Sequence, residues 1–288
     1  MVHSVKNWMD GKIQEKSAEP RFEFGRNWQG FLATINEGHI REAESSLREM
    51  LECADMRGKR FLDIGSGSGL FSLAARRLGA RVHSFDYDPH SVACTRALKN
   101  HYARDDHLWT IEEQSVLDDR YMASLGSFDV VYSWGVLHHT GDLMRALHNA
   151  QIPVGHGGIL FIAIYNDQGC ISRFWKVVKR TYCSGLPGRA ATSALFYPYF
   201  LAKALAAGMV RFGNPVRYFR EYRKRRGMSL FHDWKDWLGG YPFEVARPEV
   251  IVSFYRARGF VLQRMTTTSR NGNNQFVFRR IENGGGAP

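Results

Sequence analysis

The chain has few cysteines, and they lie far apart. Cys53, Cys94, Cys170 and Cys183 show neither the spacing of a metal site nor that of a disulfide framework. The amino terminus has no apolar core typical of a secretory signal, and no charge-free run reaches membrane-spanning length. These absences argue against a zinc module and a disulfide-rich secreted domain. They predict a cytoplasmic protein with free thiols and no metal.

Acidic residues are almost absent from one segment. Residues 170–230 contain thirteen Lys or Arg and a single acid, Glu221, so their local net charge is +12 against +11 for the whole chain. The rest of the chain is therefore close to neutral. The excess positive charge belongs to one surface or one site rather than to the protein as a whole.

A strand, a glycine-rich turn and a helix start are predicted over residues 60–78. The apolar run is followed by Gly65, Gly67 and Gly69 at every second position, and then by a helical pattern. Glycine lets a ligand approach the backbone, and a helix amino terminus offers unpaired N–H groups. Twenty-one residues after Gly65, a second strand pattern ends at Asp86, where an acid can hold ribose hydroxyls. Together these signals predict a nucleotide site; the alternative is a turn that only packs a strand on a helix.

The same turn lacks the third glycine of a dinucleotide fingerprint, because Leu70 occupies that position. Asp63 also stands just ahead of the first glycine. A carboxylate there would repel a pyrophosphate and attract an ammonium or a sulfonium. We therefore expect a nucleotide that is cationic at this end.

With these residues the sequence resembles the class I S-adenosylmethionine-dependent methyltransferases, by specific motifs over about 58–165 and by pattern over 247–281. The resemblance implies S-adenosylmethionine as cofactor, with the glycine turn at its methionine end, Asp86 at its ribose, and Ser115 and Val116 near its adenine. Ser115 stands where the family has an acid. The implied cofactor-binding residues are Asp63, Gly65, Ser66, Gly67, Gly69, Asp86, Tyr87, Ser115, Val116 and Trp134.

Strand and helix patterns alternate along most of the chain, as in a parallel sheet with right-handed crossovers. Strands are predicted at 60–64, 81–86, 109–111, 128–134, 159–165, 259–262 and 274–278. The short link at 271–273 can only form a hairpin, so the last strand should run antiparallel to its neighbour. The predicted fold is a doubly wound α/β sheet of seven strands, mostly parallel, with an antiparallel last strand, which is also the fold of the family it resembles.

The patterns divide the chain into five parts. They are an aromatic and helical cap (1–57), the cofactor-binding core (58–165), a basic helical insertion (166–246), a last helix and hairpin that complete the sheet (247–282), and a disordered tail (283–288). Four aromatic residues of the cap either close over the ligands or pack on the sheet edge. They are Phe22, Phe24, Trp28 and Phe31.

The insertion leaves the sheet at the carboxyl ends of the strands, so it should roof the acceptor pocket. Three partners suit a basic and aromatic roof: a membrane surface, a soluble anionic acceptor, or an RNA. For the membrane, Leu195, Phe196, Phe200 and Leu201 would enter the lipid, while Pro198 and Lys203 argue against full spanning. The alternative is a helical cap whose cations are solvated.

Methyl transfer to a hydroxyl requires removal of its proton, and imidazole titrates near neutral pH. His139, on the loop after the fourth strand, is the first candidate for the general base; His138 is the second, and His232, beside Asp233, is the third. An amine or carboxylate acceptor would need no base.

The motif residues at 24–28 and 134–142 are similar to a bacterial branch of small-molecule methyltransferases, which suggests O-methylation by in-line displacement of a small-molecule, sugar or lipid-linked acceptor. The alternatives are an RNA methyltransferase and a non-catalytic cofactor-binding protein that docks on a membrane or a partner.

Overall fold

The computed structural model describes residues 22, 24, 25, 32, 35–215, 217, 219, 230–269 and 272–281, and places only the backbone of 230–233 and 236. In chain order its elements are α1 (Glu37–Leu51), β1 (Arg60–Ile64), α2 (Leu70–Arg77), β2 (Arg81–Asp86), α3 (Pro89–Tyr102), β3 (Trp109–Glu113), α4 (Asp119–Ser124), β4 (Phe128–Trp134), a 3₁₀ turn (Leu137–His139), α5 (Leu143–Gln151), β5 (Val154–Tyr165), α6 (Cys170–Cys183), α7 (Leu186–Phe212), α8 (Leu230–Gly239), α9 (Pro248–Arg256), β6 (Phe260–Thr266) and β7 (Asn273–Arg280).

The strands form a seven-stranded sheet in the order β3-β2-β1-β4-β5-β7-β6. β1 to β5 pair in parallel, and β7 runs antiparallel to both β5 and β6. The prediction of a mostly parallel sheet with a reversed last strand is confirmed. The strand order reverses between β1 and β4, which opens a crevice at their carboxyl ends.

β5 is longer than the sequence pattern predicts, because it begins at Val154 rather than at 159. The glycine-rich stretch before Ile159 looks like a turn, but it continues the strand along β4. A Cβ on Gly155 or Gly158 would lie 3.2 or 3.0 Å from the carbonyl oxygen of Phe128. Glycine is therefore needed here for close approach of two strands, where the register also shifts.

Each face of the sheet has its own hydrophobic core. α1 and α2 cover one face, where Leu47 and Leu73 pack near Phe61 of β1. α5 and α9 cover the other, where Leu147 and Tyr255 pack near Leu160 of β5. Apolar strands buried on both faces are typical of parallel sheets, and this double cover fixes where the strand ends present their side chains.

The described part of the insertion includes three helices that pack on one another, α6, α7 and α8. Trp175 of α6 lies among the rings of Phe196, Phe200 and Trp237, with centroid separations of 5.4, 6.4 and 5.3 Å. By length and composition α7 is long and apolar enough to cross a membrane: its most apolar stretch has a mean hydropathy of 1.3, and only 11% of that stretch is buried. The helix meets these criteria despite Lys203 and Pro198.

Candidate active site

A cavity of about 1100 Å³ lies at the carboxyl ends of β1, β2 and β4, in the crevice where the strand order reverses. Its floor is the turn after β1 and the loops that follow β2, β3 and β4. Its roof comes from α8 and the loop after it, together with Phe22 and Phe24. This is the position at which parallel α/β sheets bind ligands.

The floor of the cavity is a bend that accepts only glycine at its first position. Gly65 has a φ of 77°, and a Cβ there would lie 2.4 Å from a methyl carbon of Val136. The amides of Gly65 and Ser66 both donate to the carbonyl of Phe85, at 2.8 and 3.1 Å. Gly67, with a φ of 54°, continues the bend along the cavity wall. Gly65, Ser66 and Gly67 all line the cavity, and their predicted contacts with a cofactor stay predictions.

Gly69, unlike Gly65 and Gly67, is not among the residues that line the cavity. Its amide donates to the carbonyl of Ser66 at 2.8 Å, and it caps α2 with a φ of 80°. A Cβ on Gly69 would meet Thr95 of α3 at 2.9 Å. This glycine permits the packing of two helices, and its predicted contact with the cofactor stays a prediction.

Asp86 lies half-buried at the end of β2 and lines the cavity. Its carboxylate accepts from the amide of Gly67 at 2.9 Å and from that of Asp88 at 3.0 Å. A carboxylate has about four acceptor positions, so it can still accept from a ligand's hydroxyls. Burial raises the pKa of Asp86 to about 6, although hydrogen bonds from the amides of Asp88, Gly67 and Tyr87 act in the opposite direction.

Asp63 reaches the cavity from β1, but it is almost completely buried. Ser72 donates to its carboxylate at 2.5 Å, Ser72 contacts Ser84 at 2.7 Å, and the indole of Trp109 donates to Ser84 at 2.8 Å. Burial raises the pKa of Asp63 to about 7, and the charge of Asp86 adds to this rise. Near neutral pH the group is therefore only partly ionised, which weakens the fixed negative charge that the sequence suggested, although a bound cation would restore it.

Tyr132 of β4 is a candidate that the sequence pattern did not reveal. It is the partner of Asp63 in the parallel register of β1 and β4, and it lines the cavity beside it. Its side chain is 3% exposed, and no described residue offers its hydroxyl a hydrogen-bond partner. Burial, followed by the charge of Asp63, raises its pKa far above the ordinary value. A buried hydroxyl without a partner at a cavity wall is a position for a ligand acceptor.

The remaining predicted cofactor contacts also lie at the cavity. Ser115 and Val116 follow β3, Tyr87 follows β2 and Trp134 ends β4, and all four line the wall. The hydroxyl of Ser115 accepts from the amide of Leu117 at 3.1 Å. The structure therefore brings together nine of the ten predicted residues, Gly69 being the exception.

The three candidate bases have different surroundings. His139 lines the cavity, and its Nδ1 lies 2.6 Å from the carbonyl oxygen of Pro242. Since a carbonyl only accepts, Nδ1 carries the proton and Nε2 keeps its lone pair. Burial lowers the pKa of His139 to about 3, the charge of Lys179 lowers it further, and the Pro242 carbonyl opposes both. The imidazole is thus neutral throughout the physiological range.

His138 does not line the cavity and is completely buried, and its Nδ1 accepts a long bond of 3.4 Å from the amide of Tyr165. The second predicted base is therefore corrected to a structural residue. His232 lies within α8, but its side chain is outside the described part of the chain. Its predicted role stays a prediction.

The roof of the cavity is aromatic rather than basic. Trp234 and Trp237 of α8 line it, followed by Tyr241 and Pro242, and the amide of Phe22 donates to the carbonyl of Tyr241 at 3.0 Å. No Lys or Arg among the described residues lines the cavity, and neither α6 nor α7 contributes to the lining. Among the described residues of the insertion, only the last part contributes to the roof, and Phe22 and Phe24 complete it. Trp28 and Phe31 lie outside the described residues.

The residues at the cavity suit an adenosyl cofactor with a charged amino-acid end. Asp86 has free acceptor positions for hydroxyls, and Asp63 with Tyr132 offers an acceptor and a donor side by side. A phosphate at the same position would face two carboxyl groups, which is unfavourable.

The comparisons with known proteins agree with this geometry. Residues 36–258 match a family model described as a methyltransferase domain. The chain belongs to the class I S-adenosylmethionine-dependent methyltransferases. It is similar to the ubiquinone biosynthesis O-methyltransferase of Methylocella silvestris, with 29% identity over 181 residues that cover 62% of this chain and 67% of the relative. The same-named protein of Rhodopseudomonas palustris is 31% identical over 147 residues, which cover 50% of this chain and 51% of that relative.

Solved structures of this family share the fold at low sequence identity. Magnesium protoporphyrin IX methyltransferase from Synechocystis PCC 6803 with bound SAH has a TM-score of 0.51 and 15% identity, covering 88% of this chain and 93% of that one. A SAM-dependent methyltransferase from Anabaena variabilis ATCC 29413 has a TM-score of 0.53 and 10% identity. The alignment covers 90% of this chain and 93% of that one. S-adenosylmethionine is the cofactor of the family.

Proposed function

We propose that this methyltransferase transfers the methyl group of S-adenosylmethionine to an oxygen of a small-molecule, sugar or lipid-linked acceptor. The observation that carries the proposal is His139, whose ring lies at the cavity wall with Nδ1 bound to a backbone carbonyl and Nε2 left as an acceptor. An O–H group needs such an acceptor, whereas a neutral amine needs none. The relatives named as O-methyltransferases agree with this choice.

Several residues would hold the cofactor. Asp86 would accept from its ribose hydroxyls, Asp63 and Tyr132 would bind its amino-acid end, and Val116 would contact its adenine. When bound, S-adenosylmethionine supplies an electrophilic methyl group on a positively charged sulfur. The glycine bend and the aromatic roof position this group against the acceptor and exclude water, and positioning accounts for most of the catalysis in such displacements.

His139 would receive the proton of the acceptor hydroxyl at Nε2 as the new C–O bond forms and the C–S bond breaks, its electron pair remaining on sulfur. The low pKa of His139 keeps the lone pair available but makes the imidazole a weak base. A hydroxyl becomes strongly acidic as its oxygen is alkylated, so a weak base is sufficient if proton transfer accompanies methyl transfer. His139 therefore acts during the displacement rather than before it.

The lining favours an acceptor with an apolar or aromatic body. The ring centroids of Phe24 and Tyr165 lie 5.0 and 5.4 Å from that of His139. The ring centroid of Trp237 lies 6.0 Å from that of Tyr165. Flat rings bind well between such side chains. Without a described Lys or Arg in the lining, a strongly anionic acceptor is disfavoured, and so is an RNA backbone, which needs cations at the site. We place the enzyme in the cytoplasm, with a lipid-linked acceptor met at the inner membrane surface.

Transfer of label from methyl-labelled S-adenosylmethionine to a bacterial extract tests the proposal. We expect label in a compound that mass spectrometry identifies as an O-methyl product. Cofactor binding by calorimetry without label in any extractable compound would instead support the non-catalytic alternative. Label confined to RNA would support the RNA methyltransferase.

A further inference from the structure

α7 has an exposed face that is apolar along the helix. Its inner side is a narrow stripe in which Thr192, Ala204 and Gly208 are buried. On this side the ring centroid of Phe200 lies 5.7 Å from that of Trp234 in α8. Many of the side chains that point away from this stripe are large and apolar. They are Leu195, Tyr199, Leu201, Leu205, Met209 and Val210, with exposed fractions from 38% to 90%.

This composition is the reverse of what solvent requires of a surface helix. Between Arg189 and Arg211, Lys203 is the only charged residue of α7. A helix that packs one side on a protein normally presents charged and polar residues on the other. Leu195, Tyr199 and Met209 recur at helical spacing, so they form a continuous surface that something must cover.

α6 extends the same surface. Ile171, Phe174 and Val177 recur at three-residue spacing and are 52%, 54% and 63% exposed. The ring of Phe174 lies 6.2 Å from that of Phe196 in α7, which joins the two helices at this edge. We call these exposed apolar residues of α6 and α7 the apolar platform.

The charge around the apolar platform identifies its partner. Residues 168–220 contain nine Lys or Arg and no acid. Six of these cations are exposed on the two helices: Arg173, Lys176, Arg180, Arg189, Lys203 and Arg211. Apolar side chains bordered by cations match an anionic bilayer surface, where the former enter the acyl boundary and the latter meet the headgroups. A second copy of the chain would bring two sets of cations together, which is unfavourable.

We propose that the apolar platform docks the protein on an anionic lipid bilayer, with α7 lying in the plane of the interface. The helix does not span, because its inner stripe packs on α6 and α8 and is not available to lipid. This corrects the sequence interpretation, in which Phe196 and Phe200 entered the membrane: both pack inward near Trp175, while Leu195 and Tyr199 point outward.

The platform is connected to the cavity through α8. Tyr197 and Phe200 of α7 lie 6.3 and 5.7 Å from Trp234, which lines the cavity roof. A protein docked through α7 would therefore hold its roof close to the bilayer. If the proposed methyltransferase function holds, this arrangement suits an acceptor whose apolar part remains in lipid.

Flotation of the full-length protein with vesicles tests the docking. The vesicles are phosphatidylcholine alone, or phosphatidylcholine mixed with phosphatidylglycerol. We expect flotation with the mixed vesicles and little with the neutral ones. In Leu195→Glu/Met209→Glu the vesicle-bound fraction should fall by more than about tenfold, because carboxylates are strongly disfavoured in the interface.

The matched control is Val250→Glu on α9, which changes a valine that is 48% exposed and lies outside the platform. It should float like the wild type. All variants should bind S-adenosylmethionine equally in calorimetry, which shows that they are folded and separates this test from the methyltransferase proposal.

Two results would overturn the docking proposal. One is a wild-type protein that binds the cofactor but does not float with either vesicle, and the other is equal flotation of the double variant. If sedimentation showed a dimer that the double variant converts to a monomer, without flotation of either, a second copy would be the partner instead.

Discussion

The Nδ1 atom of His139 lies 2.6 Å from the carbonyl oxygen of Pro242. This bond connects the loop after β4 with the loop that follows α8, 103 residues further along the chain. The side chain of Glu244 supports the same junction by accepting from the amides of Gly141 and Leu143, at 3.1 and 3.2 Å. The insertion therefore fixes the tautomer of the candidate base as well as covering the cavity.

Replacing His139 by Ala should reduce methyl transfer to a hydroxyl acceptor by about 10²–10⁴-fold, the usual contribution of a positioned general base. The dissociation constant of the cofactor should change little, since the proposed cofactor contacts lie elsewhere in the cavity. Labelled methyl transfer and calorimetry measure the two quantities. His138→Asn is the comparison: it should lower Tm through its buried position while the folded fraction remains active. Full activity of His139→Ala would contradict the assignment.

Asp86→Ala should weaken binding of S-adenosylmethionine by about 10- to 100-fold, the range for hydrogen bonds to a charged group. Glu113 is the matched control, because it is the partner of Asp86 across β2 and β3 but is exposed and does not line the cavity. Glu113→Ala should bind normally in calorimetry. Equal affinity of both variants and the wild type would refute the ribose contact.

Cofactor affinity should depend on pH through Asp63. Its pKa of about 7 in the free protein is raised, so below pH 7 it is protonated and must lose that proton to pair with a cation. The dissociation constant should therefore rise as the pH falls, by about tenfold per pH unit, and more steeply once Asp86 is also protonated below about 6. In the Asp63→Asn variant, the dissociation constant should depend on pH only below about pH 6, where Asp86 becomes protonated. A dissociation constant that is constant from about pH 5 to 8 would show that neither carboxyl binds in its ionised form.

Tyr132→Phe removes one hydroxyl from the cavity wall. We expect the cofactor to bind about tenfold more weakly, with unchanged or slightly higher thermal stability, because a buried hydroxyl without a partner does not stabilise the free protein. Tyr255→Phe makes the same chemical change where the hydroxyl donates to the carbonyl of Leu147 at 3.1 Å. That variant should lose about 1 kcal/mol of stability and keep its affinity. The opposite pattern would mean that the hydroxyl of Tyr132 has a structural role.

Gly65→Ala should destabilise the protein and abolish cofactor binding, because the new methyl group would lie 2.4 Å from Val136 at a φ of 77°. Gly126→Ala is a control with a similar φ of 72°, but its Cβ would have no neighbour closer than 3.9 Å. It should show only the backbone strain, about 1–2 kcal/mol. Chemical denaturation compares the two. If both lose the same stability, the clash with Val136 is relieved by movement of that loop.

The local parts of the fold were predictable from sequence, and the distant contacts were not. The glycine turn, Asp86 and the hairpin before β7 follow from spacing within a few residues. The junction of His139 with Pro242 depends on how a helical insertion returns to the sheet, for which the sequence has no local signal. Tyr132 belongs to an apolar strand pattern, and only its register with Asp63 places its hydroxyl at the cavity.

Some signals in the insertion were present but ambiguous. Trp234 and Trp237 are three residues apart, as expected of one face of a helix, and this spacing could have indicated the cavity roof. The positive charge drew attention to the basic stretch instead. In α7, nearly every residue is apolar, so the sequence alone does not show that Phe200 points inward and Tyr199 outward.

The two ends of the insertion meet where they leave the sheet. Asn166 forms a parallel bridge with Ala246, and the amide of Ala246 donates to the carbonyl of Tyr165 at 3.0 Å. These backbone contacts hold the end of β5 next to the residues that lead into α9. The intervening residues, about eighty in number, can therefore differ in length without separating β5 from α9, whereas Pro242 and Glu244 at their end must keep their contacts with the loop after β4.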